Sequence, residues 1–228
     1  FMEAFHVIAT HPQILSGTGD CNSQYDVFGN FSRAITPNGT PSPHLQWDPT
    51  EQEIFDAITD KRLDEEPMAI IPEGMTARAF AAQVARERLR SAVPDVDTYC
   101  DAEINDSMYF TLFPNFHPWG AFNRINYRFR PVGTKVDECL MECIYTEDFE
   151  GDERPAPAEY IELGIDQEWT ELIPVIGNLA RVFHQDSFNL PKVQKGLETF
   201  RADGLTLTKY QEVKIRHWHA LAERFIAN

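Results

Sequence analysis

Hydrophobic periodicity changes twice along the 228 residues of this chain, and few architectures accommodate that order. Before about residue 95 the spacing is helical in two stretches, one opened by Pro49-Thr50 and running to about Leu63, the other running from Pro72 to Val93 with Phe80, Val84 and Leu89 near helical spacing. From Tyr99 the period becomes two, through about 99–113, 122–131 and 136–148, with Pro114, Gly120 and Val132-Gly133 as turns. After Asp166 a helical pattern returns, broken at Pro174, restarted at Pro191, and followed by a last helical segment from Lys209 to Ile226. Residues 24–37 read as a strand followed by a turn, and the acidic and proline-rich stretch from Glu147 to Pro157 reads as an exposed connection. Strands in the middle with helices at both ends predict an α+β domain in which a curled antiparallel sheet surrounds a long helix. At roughly 150 residues per domain, one domain over 1–228 is expected, with 48–95 as a helical insertion within it.

Charge and cysteine usage narrow the function. Twenty Lys plus Arg face 36 Asp plus Glu, a formal charge of −16, which repels phosphate backbones and anionic headgroups, so neither nucleic acid nor a membrane surface is an expected partner. No run reaches the roughly 20 apolar residues of a bilayer span, and no signal peptide is visible, which predicts a cytoplasmic protein. Cys21, Cys100, Cys139 and Cys143 contain no Cys-x-x-Cys pair and are expected as free thiols. The chain opens at Phe1 inside an amphipathic turn, so the natural chain is expected to be longer.

Chemistry is expected from His6, His11 and Asp186. Two imidazoles and one carboxylate on one side of an iron leave adjacent positions open for dioxygen and substrate. Residues five apart in a regular helix are rotated by a net angle of about 140°, so His6 and His11 share a face only if the helix ends between them. Pro12 supplies that ending, because its ring disfavours helical geometry at His11. Taken alone the pair is also compatible with surface or capping histidines. His217 and His219, two apart, cannot share a metal on a helix, and His184 stands in the same relation to Asp186. His44 and His117 read as hydrogen-bonded loop residues beside prolines.

Several separated blocks carry a family resemblance in order. The stretch Glu3-Ala4-Phe5-His6-Val7-Ile8-Ala9-Thr10-His11-Pro12 resembles the iron-binding motif in the catalytic domain of the Rieske-type aromatic ring-hydroxylating oxygenases, large (alpha) subunit. Ser23-Gln24-Tyr25-Asp26 with Ser42-Pro43-His44, Phe113-Pro114-Asn115-Phe116-His117-Pro118-Trp119 and Tyr127-Arg128-Phe129-Arg130-Pro131 are similar to the same family. So are Gln185-Asp186-Ser187-Phe188-Asn189 with Val193-Gln194-Lys195-Gly196-Leu197, and Tyr210-Gln211-Glu212 with Ile215-Arg216-His217-Trp218-His219.

The resemblance implies a helix-grip fold of the START/Bet v 1 kind, with His6, His11 and Asp186 holding Fe(II). It implies that Glu3, where the family commonly has Asp, bridges electrons to the iron from a [2Fe-2S] Rieske cluster on a neighbouring subunit; placement of charge at a helix start is the other reading of Glu3. The cluster needs Cys-x-His and Cys-x-x-His pairs, which this sequence lacks, so its N-terminal domain is expected to be missing from this chain. NAD(P)H would supply electrons through a reductase, with or without a ferredoxin. The substrate would be a small hydrophobic aromatic molecule attacked with O2, and the assembly a homotrimer or an alpha/beta hetero-oligomer.

If Asp186 faces iron, helical spacing sets Val182, Phe183 and Asn189 beside it, and Val7 lies next to His6. Val7, Val182 and Phe183 then line an apolar substrate pocket, although Val182 and Phe183 serve equally well as core. Gln185 and Asn189 are candidate hydrogen-bond donors that fix the ligands, Asn189 also being a candidate turn residue before Pro191. The alternative function is a metal-free hydrophobic-ligand-binding module of the same fold.

Overall fold

The computed structural model describes residues 3–19, 22–120, 122–147, 149 and 151–227, the side chains of Glu3, Ala4 and Phe5 excepted. Cys21 lies outside them. The chain divides into two compact units, residues 1–123 with 206–228, and residues 124–205. Both mix helices with strands that pair antiparallel, in agreement with the α+β expectation.

The first unit opens with helix α1 (Glu3–Thr10) and a 3-10 turn at Pro12–Ile14. Four strands, β1 (Gln24–Phe28), β2 (Phe31–Thr36), β3 (Ser107–Leu112) and β4 (Phe116–Pro118), form a meander in that order. What the sequence reads as one strand over 24–37 is a hairpin, closed by the pair Phe28 and Phe31 around Gly29 and Asn30. Both strands are apolar enough to read as a single run, and a two-residue turn of small polar residues interrupts that run too briefly to show.

Between β2 and β3 lie α2 (Glu51–Ile58) and α3 (Ala77–Leu89). Thr50 caps α2 through a reciprocal box, its amide donating to Glu53 Oε2 at 2.7 Å and its hydroxyl accepting from the Glu53 amide at 3.3 Å. The helix stops short of Leu63 because Asp60 adopts a left-handed φ of 54°, a conformation open to Asp and closed to a continuing helix. Ile54 and Phe55 of α2 pack on Ala77 and Ala81 of α3. The alanines let the two backbones approach, and Glu51 ties the pair by accepting the Ala77 amide at 2.6 Å.

The stretch 99–113 divides into helix α4 (Asp101–Asn105) and β3, where alternation alone predicts strand throughout. Glu103 accepts the Cys100 amide at 2.8 Å, which starts a helical turn, and Ile104 is buried against Ala82 and Val96. The last helix of this unit, numbered α7 in chain order, is Val213–Ile226. Its Trp218 donates to the Pro114 carbonyl at 2.6 Å, and its Phe225 stacks on Phe113 at 5.1 Å between ring centres.

The second unit is a hairpin, β5 (Ile125–Pro131) and β6 (Cys139–Tyr145), followed by the short α5 (Trp169–Leu172) and the 20-residue α6 (Leu179–Glu198). One hairpin face presents Ile125, Tyr127, Cys143 and Tyr145 to a core of Trp169, Ile176, Ala180 and Phe183. The other carries Glu142 between Arg128 and Arg130, whose hydrogen bonds hold its carboxyl down at about 2. Between β6 and α5 the described residues form neither helix nor strand, as expected of the acidic connection.

Pro191 does not begin a new helix; α6 runs through it. A proline forfeits one helical hydrogen bond, and here the stripe Ala180, Phe183, Asp186, Ser187 keeps the helix seated on its buried side. Cys100, Cys139 and Cys143 are free thiols, as expected. Among the described residues no helix is long and apolar enough to cross a membrane.

Candidate metal centre

Helix α1 carries His6 and ends one residue before His11. The His11 amide still donates to the Val7 carbonyl at 2.9 Å, but its own backbone has left the helix at φ −126°, ψ 49°. Pro12 then opens the 3-10 turn. The ending that Pro12 predicts therefore occurs where it was expected, and it cancels the rotation that would separate the two rings. The Nε2 atoms of His6 and His11 lie 3.1 Å apart, with ring centroids at 4.9 Å and ring planes inclined by 50°.

His11 is 3% exposed and His6 half-buried. Two imidazole nitrogens at this separation either share a proton or face a common cation. For metal–nitrogen bonds of about 2.0–2.1 Å, two ligands separated by a right angle stand about 2.9 Å apart and tetrahedral neighbours about 3.3 Å. The observed spacing falls between these values, so the pair fits two adjacent ligand positions of one metal, and imidazole is a ligand suited to iron.

Asp186, in the second unit, sits on the buried side of α6 with 7% exposure. An ionised carboxylate is costly to bury unless hydrogen bonds or a cation compensate, which makes this position suitable for a ligand. Gln185 and Asn189 are half-buried beside it in sequence. Phe183, one turn earlier, is fully buried and meets Tyr127 and Trp169 edge-on, with centroids at 5.2 and 5.7 Å. Val182 and Val7 are half-buried. Glu3 opens α1, and its side chain lies outside the described part.

The remaining histidines have other surroundings. His184 faces Glu168, 3.0 Å from its carboxylate. His219 lies edge-on to Trp218, and His44 is exposed. His117 is in β4, with Nδ1 3.2 Å from the Thr111 hydroxyl. Burial, and then the charge of Lys214, pushes its imidazole down to about 4.

A histidine with a folded value below its unfolded one releases a proton on folding, so its stabilising contribution is complete above pH 6.5 and is lost as pH falls toward 4. Urea midpoints measured across that window should fall with pH in the parent and fall less steeply in His117→Asn. An unchanged slope would show that this imidazole does not drive the acid limb.

Sequence reasoning missed the residues that hold the His11 loop. Gly17 lies against α2, and Thr18, Asn38 and Arg78 link the loop to the sheet and to α3. The only local signal was Gly17-Thr18-Gly19, whose glycines have no obvious partner in the linear sequence.

Compared with known protein families, residues 1–228 match the model of the ring hydroxylating alpha subunit (catalytic domain). No curated protein and no solved structure matches the chain.

Proposed function

The chain belongs to the ring hydroxylating alpha subunit family as a catalytic domain, and we propose on that premise that it hydroxylates or dihydroxylates a small hydrophobic aromatic substrate with O2 at a single Fe(II). The family makes it an oxygenase of the oxidoreductase class. The observation that carries the iron reading is the His6–His11 pair, brought to 3.1 Å by a helix that ends at Thr10.

In this reading His6 and His11 hold the ferrous ion with Asp186. Bound iron supplies the activation of O2, the balance being two electrons and two protons, with both oxygen atoms entering a cis-dihydrodiol or one entering the product and one leaving as water. The chain's own residues do the rest. Gln185 and Asn189 steady the ligands through hydrogen bonds, because donors around a metal ligand fix its orientation. Val7, Val182 and Phe183 keep the surroundings apolar, which holds an aromatic ring and excludes water. Glu3 would be the bridge toward the iron from a Rieske [2Fe-2S] cluster on a neighbouring subunit, which NAD(P)H would supply with electrons through a reductase, with or without a ferredoxin. The fold is a helix-grip, with α6 as the gripped helix, working in the cytoplasm as a homotrimer or an alpha/beta hetero-oligomer.

The test is incubation of the Fe(II)-loaded protein with aromatic hydrocarbons, 18O2 and a chemical electron donor. The expected result is a hydroxylated product carrying 18O. Tight hydrocarbon binding by a protein that takes up no Fe(II) under anaerobic loading would favour the hydrophobic-ligand-binding module instead.

A further inference from the structure

We infer that Gly17 is a positioning residue for His11, and that the helix pair α2–α3 acts through it as a brace for the paired imidazoles. The metal consequence rests on the iron reading above; the placement of the rings does not.

The loop after His11 is a short chain of consecutive hydrogen bonds. The Ile14 amide donates to the His11 carbonyl at 3.1 Å, Leu15 to Pro12 at 3.4 Å, and Gly17 and Thr18 both to Ile14, at 2.9 and 3.0 Å. Any movement at Gly17 is therefore passed back within a few residues to His11. Gly17 itself is buried, and its φ is not in the left-handed region. Space is what requires a glycine here. A Cβ at this position would stand 2.7 Å from the Ile58 amide nitrogen, 2.8 Å from the Ile54 carbonyl oxygen and 3.0 Å from the Ala57 Cβ. Two of these neighbours are backbone atoms, so no side-chain rotation relieves the clash.

The two sides of the clamp are both anchored. On one side α2 is fixed by its Thr50–Glu53 box and by buried Ile54, Phe55 and Ala57. On the other, the Gly17 carbonyl accepts the Gly39 amide at 2.8 Å, the Leu15 carbonyl accepts the Ser42 amide at 2.8 Å, and the Thr18 hydroxyl donates to Asn38 Oδ1 at 3.0 Å. That segment is held in turn by Arg78 of α3, which donates to the Asn38 carbonyl at 2.5 Å and to Asp106 at 2.6 and 3.1 Å. A methyl group at residue 17 must displace the loop, since α2 and residues 38–42 have stronger holds. His11 leaves its place opposite His6 as a result.

The experiment compares the parent, Gly17→Ala and the control Gly29→Ala, whose added Cβ meets nothing within 4 Å. Two quantities are read: nuclear Overhauser effects between the His6 and His11 rings in metal-free protein, and anaerobic Fe(II) affinity. Gly17→Ala should stay folded by circular dichroism, show no Overhauser effect between the two rings and bind Fe(II) about tenfold more weakly or worse, the size of effect expected when support for a ligand is removed. Gly29→Ala should match the parent in both.

Overhauser effects of parental strength in Gly17→Ala would overturn the inference, whatever the metal does. Their disappearance in Gly17→Ala while the parent itself fails to bind Fe(II) would leave the positioning role standing and remove the iron reading. Should Gly17→Ala fail to fold, Thr18→Val, which cuts the Thr18–Asn38 bond at the same junction, decides. Weakened ring-to-ring effects there support the brace, and parental ones overturn it.

Discussion

His6→Ala, His11→Ala and Asp186→Ala are each expected to weaken Fe(II) binding by about 100-fold or more in anaerobic titrations in which the parent takes up one ion per chain. Groups that merely orient a ligand are typically worth 10–100-fold in metal affinity, which sets a floor for the ligands themselves. The three variants should be alike in this respect although their positions are not. His11 is 3% exposed at a helix end, His6 is half-buried on the helix, and Asp186 is 7% exposed on α6.

Asp186→Asn separates a ligand role from a packing role. It keeps the volume and replaces an anionic ligand oxygen with a neutral amide, a much poorer partner for a divalent cation. Asp186→Asn is therefore expected to lose Fe(II) affinity as severely as Asp186→Ala while the metal-free variant, which keeps the shape of the side chain, retains a urea midpoint close to that of the metal-free parent. A buried aspartate whose work is structural would show the reverse, with stability lost and metal binding unaffected. Calorimetric titration beside urea unfolding of the same samples reads both quantities.

Phe183→Ala is expected to cost about 3–5 kcal/mol of stability, the range for removing a buried aromatic ring from a core. The ring is fully buried between Tyr127 and Trp169, in the cluster that joins α6 to the β5–β6 hairpin. Its removal deletes two edge-to-face ring pairs together with the apolar burial. Val182→Ala, one residue away and only half-buried, should cost much less. Urea unfolding of the two variants checks this contrast. Equal small losses would mean that the cluster around Phe183 is not the core of its unit. The contrast also bears on the proposed substrate pocket, which Phe183 would shape only from within the packed core, whereas Val182 would change substrate preference at little expense in stability.

The sequence made the His6–His11 geometry readable because its cause is local. A proline one residue beyond His11 acts through covalent geometry, and the helix ends where that geometry requires. The strands β5 and β6 and the helices α2, α3 and α7 were likewise expected, with ends drawn in by features the hydrophobic pattern does not contain. Asp60 in a left-handed conformation shortens α2, and the turn with Gly74 at φ 80° delays α3 until its Thr76 cap.

The misreadings share a physical origin. Residues 101–105 became helical through a Glu103 cap and the burial of Ile104, and α6 passed through Pro191 because tertiary packing outweighed one lost hydrogen bond. The brace behind His11 was beyond reach for a similar reason. Gly17 touches residues 54–58 and Gly39 touches Arg78, and neither proximity leaves any periodic trace in the linear order.

The proposed chemistry depends on one ferrous ion taking His6, His11 and Asp186 as its protein ligands. The most direct measurement is a crystal structure of the Fe(II)-loaded protein with anomalous scattering collected at the iron edge. The predicted result is a single iron peak bonded to His6, His11 and Asp186. Iron bound to other side chains, or bound by the two histidines with the Asp186 carboxylate out of bonding reach, would contradict it.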